Sequence, residues 1–266
     1  MNTINMDGDT MKQNDPEATM TYLSNLVGGK IDSSSSIRVH SVRYAETLNL
    51  MQNHLGNQES MDVLDFGTSE GFMSLLVKHF FPSCSILACD IQINDSTRKL
   101  LQTHNIKTKE GATLVEGHKL PFPDHSFDAV MFLEVLEHVI ADPKYVVQEL
   151  HRICKPQGLL FLSTPNLACL MNRLMLLFGK QPQLYLTGLH NGDDPRHHFR
   201  EWTMNELTFL LKDKFEILDT KYMRGLSRYG MISQKATLKL LYPFYSFLCL
   251  LKPSFRANII IIGKAI

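Results

Sequence analysis

The feature that most constrains the fold of this chain is a short apolar stretch that runs into two glycines. Residues 63–66, Val-Leu-Asp-Phe, are followed at once by Gly67 and four residues later by Gly71. The apolar stretch predicts a buried strand, and the glycines predict a tight turn after it. Because glycine has no side chain, its backbone can come close to a ligand. The sequence therefore predicts a ligand-binding turn at the carboxyl end of a strand.

Two further blocks follow this turn at fixed distances. Residues 85–90 form a second apolar stretch, which ends in Asp90, 19 residues after Gly71. The block 120–128, Leu-Pro-Phe-Pro-Asp-His-Ser-Phe-Asp, leads into a third apolar stretch at 129–133. Strand-like stretches that alternate with helical ones predict a parallel sheet covered on both faces. Its ligand pocket is expected at the carboxyl ends of the strands.

The order and wording of these blocks resemble the class I S-adenosylmethionine-dependent methyltransferases, in particular the type 11 and UbiG-like groups. The likeness covers residues 62–166 and, less fully, 198–211. It implies an α/β fold with a Rossmann-like, doubly wound sheet of seven strands, mostly parallel with an antiparallel last strand. It also implies a helical insertion over the active site and S-adenosylmethionine as the cofactor.

The spacing of apolar residues predicts the remaining elements. We expect residues 1–37 to be a flexible leader and 38–266 to be the methyltransferase domain, with an insertion or lid at 166–202. A capping box at 203–206 predicts the start of a helix. Further helices are predicted at 38–53, 71–80, 95–104, 143–154, 167–178 and 206–212, and further strands at 112–115, 158–163, 215–219 and 257–262.

The glycine turn departs from the family pattern at one place. Gly67 and Gly71 are expected to leave room for the cofactor, which has no phosphates to cradle. The resembling family commonly has Gly-x-Gly-x-Gly, whereas Ser69 stands in the middle position here. Serine is small, so we expect the turn to tolerate it, with an effect on affinity.

The resemblance assigns four acids to the cofactor as well. Asp65 is expected to face the positive methionine portion, and Asp90 to accept both ribose hydroxyls. Glu116 is expected to meet the adenine amino group, and Glu134 follows the fourth strand. The predicted cofactor contacts are therefore Asp65, Gly67, Ser69, Gly71, Asp90, Glu116 and Glu134.

Four side chains are candidates for the reacting end of the site. Glu134, Glu137 and His138 stand at i, i+3 and i+4, so they share a face if this stretch is helical. The pattern looks like that of metal-dependent O-methyltransferases, and the resemblance makes His198 the fourth ligand of a Mg²⁺ or Mn²⁺ ion. Two alternatives remain open. His138, or less favourably His198, acts as a general base without metal, or the cluster has a structural role.

Composition limits the classes of partner. The 27 basic and 27 acidic residues cancel, and aromatic and basic residues do not alternate, which argues against nucleic acid. The five cysteines lack metal-type spacing and predict reduced core residues of a cytoplasmic protein. No stretch reaches the ~20 apolar residues of a membrane-spanning helix. The uncharged run 240–251 predicts a core helix, a substrate lid, or a contact with a membrane surface or lipid-like substrate.

The sequence therefore predicts a methyltransferase that acts on a hydroxyl oxygen of a small or lipid-like molecule. N- or C-methylation on the same fold is the enzymatic alternative. A catalytically silent, methyltransferase-like binding module is favoured only by Ser69 and opposed by the intact glycines and acids. An NAD-linked oxidoreductase is expected to carry a Gly-x-Gly-x-x-Gly turn, which residues 67–71 do not match.

Overall fold

The computed structural model of the 266-residue chain describes residues 3–4, 10–11, 15–26, 36–56, 60–182, 198–224 and 242–266. Two very short strands near the amino terminus pair with each other, and seven strands form the main sheet. The strands are β1 (Thr3–Ile4), β2 (Thr10–Met11), β3 (Asp62–Phe66), β4 (Ser85–Asp90), β5 (Lys107–Glu110), β6 (Phe127–Leu133), β7 (Cys154–Pro165), β8 (Phe215–Met223) and β9 (Asn258–Ala265).

The main sheet has the strand order β5-β4-β3-β6-β7-β9-β8. Strand β3 runs parallel to β4, and β4 to β5. Strand β6 runs parallel to β7, whereas β9 is antiparallel to both of its neighbours, β7 and β8. The predicted fold class is therefore confirmed, including the antiparallel last strand inserted beside the fifth strand of the core.

The central strands are apolar on both faces because both faces are covered. Ile259, Ile260 and Ile261 of β9 are each 0% exposed, and Phe161 of β7 is equally buried. A strand that alternated apolar and polar residues would leave one face polar, which a sheet covered on both sides does not allow.

Helices precede or follow most strands. The described α-helices are α1 (Pro16–Leu26), α2 (Ser36–Leu55), α3 (Phe72–Phe80), α4 (Asp95–Thr103), α5 (Pro143–Ile153), α6 (Leu170–Leu177), α7 (Met204–Leu211) and α8 (Tyr242–Leu251). Two 3₁₀ turns lie at Leu136–His138 and Pro253–Phe255.

Part of the predicted flexible leader is folded. Helix α1 lies within residues 1–37, and its Leu23 and Thr19 are fully buried. The helix packs against α2. This packing is favourable because moving an apolar side chain such as Leu23 out of water lowers the free energy of the folded chain. Residues 16–26 thus form a helix within the predicted leader, and the leader and the domain boundaries stay predictions.

The strand between α4 and β6 was predicted in the wrong place. The apolar stretch 112–115 is not a strand, and the charged segment Lys107–Glu110 is β5 instead. As an edge strand, β5 needs no continuous apolar run, and charged side chains are common at sheet edges. In the predicted lid, the described helix is α6, and residues 183–197 lie outside the described residues.

The chain divides into two compact units, residues 1–113 and 114–266. The first contains the glycine turn and Asp90. The second contains Glu116 and the candidate acids and histidines of the reacting end.

Candidate functional site

In the first unit, the glycine turn is fixed by hydrogen bonds to the neighbouring strand. The backbone N–H groups of Gly67 and Thr68 both donate to the carbonyl of Cys89, at 2.8 and 3.0 Å. Gly67 and Gly71 have φ angles of 81° and 78°, which lie in the left-handed region. Glycine adopts this region at little cost, so both glycines are explained by backbone geometry alone.

Gly71 is needed for packing as well. A Cβ atom added to Gly71 would lie 2.8 Å from Cδ2 of Leu101 on α4. Such a distance is shorter than real carbon–carbon contacts. The sequence interpretation attributed this glycine to close approach of the ligand. In the structure, an added Cβ would press on the side chain of Leu101, which would have to shift to admit it.

Asp65 braces the turn from inside. Its carboxylate is 3% exposed, and its Oδ2 accepts hydrogen bonds from Oγ1 of Thr68 at 2.9 Å and Oγ of Ser74 at 2.6 Å. Burial raises the pKa of Asp65, and the two hydroxyl donors act in the opposite direction because they favour the charged form. Asp65 thus holds the start of α3 to the end of β3, and its predicted contact with the cofactor stays a prediction.

Asp90 and Ser69 hold the other side of the turn. The N–H of Ser69 donates to Oδ2 of Asp90 at 2.8 Å, and the N–H of Ile91 donates to Oδ1 at 2.7 Å. Ser69 has a φ of 51°, which explains why related turns use glycine at this position. A carboxylate oxygen accepts more than one hydrogen bond, so Asp90 retains acceptor capacity for a diol.

In the second unit, a charged network fixes the loop before β6. The guanidinium of Arg152 forms ion pairs with Glu149 at 2.7 Å and Asp124 at 2.8 Å and also donates to the carbonyl of Phe122. Glu149 in turn accepts from the N–H of Leu120 at 2.7 Å. These contacts raise the pKa of Arg152, mainly through its hydrogen bond with Glu149. The 120–124 block is therefore a structural clamp between the loop and α5.

Glu116 lies in an exposed turn of the second unit. Its backbone carbonyl is 3.4 Å from Nδ1 of His118. Its predicted contact with the adenine amino group stays a prediction.

Glu134 lies apart from the other candidate ligands. Its Oε1 accepts from Oγ of Ser163 at 2.8 Å, and its Oε2 accepts from Nδ2 of Asn258 at 2.7 Å. Glu134 has a φ of 58°, and only Leu136–His138 forms a 3₁₀ turn, so the residues are not on one α-helical face. The condition for a shared α-helical face is therefore not met. The carboxylate of Glu134 ties the end of β6 to β7 and β9.

Three of the four predicted ligands come together. One candidate ligand atom from each of Glu137, His138 and His198 lies within 4.8 Å of the other two. The two imidazole rings are 4.9 Å apart between centroids and nearly perpendicular. Glu137 is 1% exposed, whereas the side chains of His138 and His198 are 29% and 19% exposed. The imidazoles therefore lie between a buried carboxylate and solvent. We call Glu137, His138 and His198 the acid–histidine cluster.

Buried polar groups support this cluster. Oε2 of Glu137 accepts from Oγ1 of Thr164 at 3.1 Å. Nδ1 of His198 is 3.2 Å from Oε1 of Glu201, whose Oε2 accepts from Nδ2 of Asn172 at 3.0 Å. A carboxylate only accepts, so a hydrogen bond between these two groups requires the N–H of Nδ1, which in the neutral ring leaves the lone pair on Nε2.

Sequence reasoning missed these supporting residues. The only signal for Glu201 was its position three residues after His198 in the segment 198–203. Thr164 and Asn172 gave none, because their roles depend on contacts between distant parts of the chain.

Backbone contacts bring the segment 198–203 to the cluster. The N–H of Phe199 donates to the carbonyl of Glu137 at 2.7 Å. Trp202 forms a parallel bridge with Asn166, just beyond β7. Helix α7 then begins with the predicted capping box, in which Thr203 and Glu206 each accept from the other's backbone N–H, at 3.3 and 2.9 Å. Two distant segments of the second unit are thus fixed to each other at the histidines.

The three ligand atoms of the cluster could hold a metal ion. Donor atoms bound at about 2.1 Å lie about 3–4 Å apart around an ion, so small side-chain rotations suffice for the three groups to share one. The buried Glu201 beside His198 is the kind of partner that metal-bound histidines have. With two nitrogens and one carboxylate, the donor set suits Mn²⁺ or Fe²⁺ better than Mg²⁺, which prefers oxygen.

Comparison with known proteins identifies the central part of the chain. The family model described as "Methyltransferase domain" matches residues 64–162. Residues 64–162 are thus similar to methyltransferase domains. This match bears out the predicted resemblance to class I S-adenosylmethionine-dependent methyltransferases over the central part of the chain. The matched segment includes every predicted cofactor contact, Glu137 and His138, and ends before His198 and Glu201.

Curated relatives resemble part of the chain. A demethylmenaquinone methyltransferase of Thermotoga maritima is 30% identical over 156 residues, which cover 57% of this chain and 65% of that protein. A ubiquinone biosynthesis O-methyltransferase of Leptothrix cholodnii is 29% identical over 125 residues, covering 45% of this chain and 50% of that protein. The chain thus spans less than two thirds of the length of either relative.

A solved structure agrees in fold over nearly the whole chain. A SAM-dependent methyltransferase of Aquifex aeolicus superposes with a TM-score of 0.51 at 16% identity, covering 95% of this chain and 99% of that one. At this identity the likeness concerns the fold.

Proposed function

We propose that this chain is an S-adenosylmethionine-dependent methyltransferase that transfers the methyl group to a hydroxyl oxygen of a small or lipid-like acceptor. The observation that carries the proposal lies within the segment that the family model matches. There the glycine turn is held against Asp90 by the N–H of Ser69 at 2.8 Å. This is the arrangement that presents backbone and a carboxylate to a nucleoside at the end of parallel strands.

The reaction is an in-line displacement. The acceptor oxygen forms a bond to the methyl carbon, the bond from that carbon to sulfur breaks, and S-adenosylhomocysteine leaves with an uncharged sulfur. The hydroxyl proton must go to a base. His138, or His198 through Nε2, is the candidate that holds it.

We further propose that Glu137, His138 and His198 hold a divalent cation such as Mn²⁺ or Fe²⁺. A bound cation would lower the pKa of an acceptor hydroxyl. The chain's own contribution is orientation. Thr164 fixes one oxygen of Glu137, and Glu201 fixes the ring of His198. The chemistry of these donors supports the proposal, together with their separation of less than 4.8 Å.

The relatives' names support a quinone-like acceptor. One is called a demethylmenaquinone methyltransferase and another a ubiquinone biosynthesis O-methyltransferase. A third, of Desulfotalea psychrophila, is called a C-methyltransferase and is 29% identical over 105 residues. Hydroxylated aromatic rings with short apolar tails are therefore the acceptors to test first, with ring-carbon methylation as the second candidate reaction.

The test is transfer of labelled methyl from S-adenosylmethionine to catechols and short-tailed hydroquinones, with and without Mn²⁺. Mass spectrometry then distinguishes a methoxy product from a ring-methyl product. We expect methoxy products, stimulation by Mn²⁺, and loss of both in Glu137→Gln. A ring-methyl product would contradict the choice of oxygen. If S-adenosylhomocysteine binds but no acceptor is methylated, the proposed acceptor class is wrong.

A further inference from the structure

Helix α8 exposes an apolar face and carries no charged residue. Phe244, Phe247, Leu250 and Leu251 are 62%, 53%, 63% and 67% exposed. With 3.6 residues per turn they fall within an arc of about 120°, and Cys249 on the opposite side is buried. Single exposed apolar residues are ordinary, whereas four on one helix face mark a surface that contacts something apolar. We call these four residues the α8 face.

The sequence around α8 is basic and free of acids. Residues 220–266 contain eight of the chain's 27 lysines and arginines and none of its 27 aspartates and glutamates. The neutral total charge therefore hides a strongly basic carboxyl-terminal part and an acidic remainder. Lys252, which follows α8 directly, is exposed at the end of the α8 face. The natural partner of such a segment is a negatively charged surface.

A cavity of about 200 Å³ beside α8 adds a place for an anion. Arg224 and Arg256 line it together with Tyr245 and Ser246 of α8. The guanidinium of Arg256 is oriented by donation to the carbonyl of Tyr222 at 2.9 Å. Guanidinium and hydroxyl groups together suit the oxygens of a phosphate.

We propose that the α8 face docks on an anionic phospholipid membrane, with the helix lying in the plane of the interface. Lipid tails would cover Phe247 and Leu251, and headgroup phosphates would meet Lys252 and the arginine-lined cavity. An anionic bilayer meets both observations. A protein partner explains the apolar face but not the acid-free basic segment, and a nucleic acid explains the charge but not the leucines.

The helix is too short to cross a bilayer. It has ten residues, and a span needs about 20. Among the helices that the structure describes, none is long and apolar enough to span a membrane. Docking in the interface needs no greater length. The proposed membrane docking does not depend on the proposed reaction, since neither the α8 face nor the cavity contributes a residue to the acid–histidine cluster.

The test is flotation of the full chain with vesicles of phosphatidylcholine alone or with 30% phosphatidylglycerol. We expect at least tenfold stronger binding to the anionic vesicles and a steep loss with salt. The double variant F247S/L251S should lower this binding at least tenfold, and R224Q/K252Q should reduce its dependence on salt. The control is F209S on α7, whose side chain is 66% exposed and does not belong to the α8 face. It should leave binding within twofold.

A tryptophan reporter provides a second readout that does not depend on removing apolar residues. In F247W, emission should shift to shorter wavelength when anionic vesicles are added, whereas F209W, at an exposed position of α7, should not shift. Absence of binding to anionic vesicles would overturn the proposal. So would self-association of the wild type that F247S/L251S abolishes, because the α8 face would then belong to a second copy of the chain.

Discussion

In the glycine turn of the first unit, the carboxylate of Asp65 is buried, and the backbone conformation of the turn sets its shape. Asp65 is 3% exposed and is satisfied by Thr68 and Ser74. In the acid–histidine cluster of the second unit, the backbone only delivers side chains, and two imidazoles remain partly exposed. The difference teaches that a turn is specified by local conformational needs, whereas a cluster is specified by contacts between distant segments.

The largest expected effect tests whether packing controls the turn. In Gly71→Ala, the new Cβ would clash with Leu101 at 2.8 Å and stand at a φ of 78°. We expect a loss of about 3 kcal/mol in unfolding free energy and at least a tenfold loss of S-adenosylhomocysteine affinity. Chemical denaturation and calorimetry measure these.

The matched control for this prediction is Gly56→Ala. Gly56 has a φ of 62° but no atom within 4 Å of its added Cβ. Only the strain of the backbone, about 1–2 kcal/mol, should appear there. Equal losses in the two variants would show that Leu101 is irrelevant.

The next prediction tests whether Glu134 belongs to the acid–histidine cluster as a fourth metal ligand. Glu137→Gln should weaken Mn²⁺ binding by about 100-fold, because it removes a charged ligand. Glu134→Gln is the matched control and should change Mn²⁺ affinity less than threefold, since Ser163 and Asn258 hold its carboxylate elsewhere. Calorimetry with the metal alone measures both. A loss of binding in Glu134→Gln as large as in Glu137→Gln would restore the four-ligand site.

His40 on α2, in the first unit, is expected to make the stability of the folded chain depend on pH. Burial, and then the charge of Arg43, lowers the pKa of His40 on α2 from 6.5 to about 4. As pH falls below 6.5, the unfolded chain takes up a proton that the folded chain does not. The stability that His40 contributes is therefore complete above pH 6.5 and is lost between pH 6.5 and 4, by up to about 3 kcal/mol.

Denaturation curves at several pH values measure this dependence. His40→Asn should flatten the curve of stability against pH. An unaltered slope in His40→Asn would assign the effect to another group.

The glycine turn and the acid–histidine cluster also differ in how much of each could be predicted from the sequence. Alternating apolar stretches, glycines and acids at fixed spacing were sufficient to predict the parallel strands and the turn, because each feature has a local cause. The antiparallel last strand was predicted only from the resemblance to a known family. The position of β5 was missed, because an edge strand has no apolar pattern. The separation of Glu134 from Glu137 was missed, because a left-handed residue and a 3₁₀ turn replace the expected helix. Glu201 was missed because its contacts join distant segments.

The smallest effect refines the account of the turn. Ser69 has a φ of 51°, where glycine is favoured. Ser69→Gly should therefore stabilise the folded chain by up to about 1 kcal/mol and preserve the hydrogen bond from residue 69 to Asp90. Thermal unfolding measures it. A lower unfolding temperature would indicate that the serine hydroxyl has a contact of its own.

The most direct test of the central claim is calorimetric titration of the wild type and Asp90→Ala with S-adenosylhomocysteine. The account predicts micromolar binding by the wild type, at least a tenfold loss in Asp90→Ala, and the same wild-type affinity after removal of metal with EDTA. Absence of binding by a folded wild type, or equal binding by both proteins, would contradict the assignment of the glycine turn and Asp90 as the cofactor site.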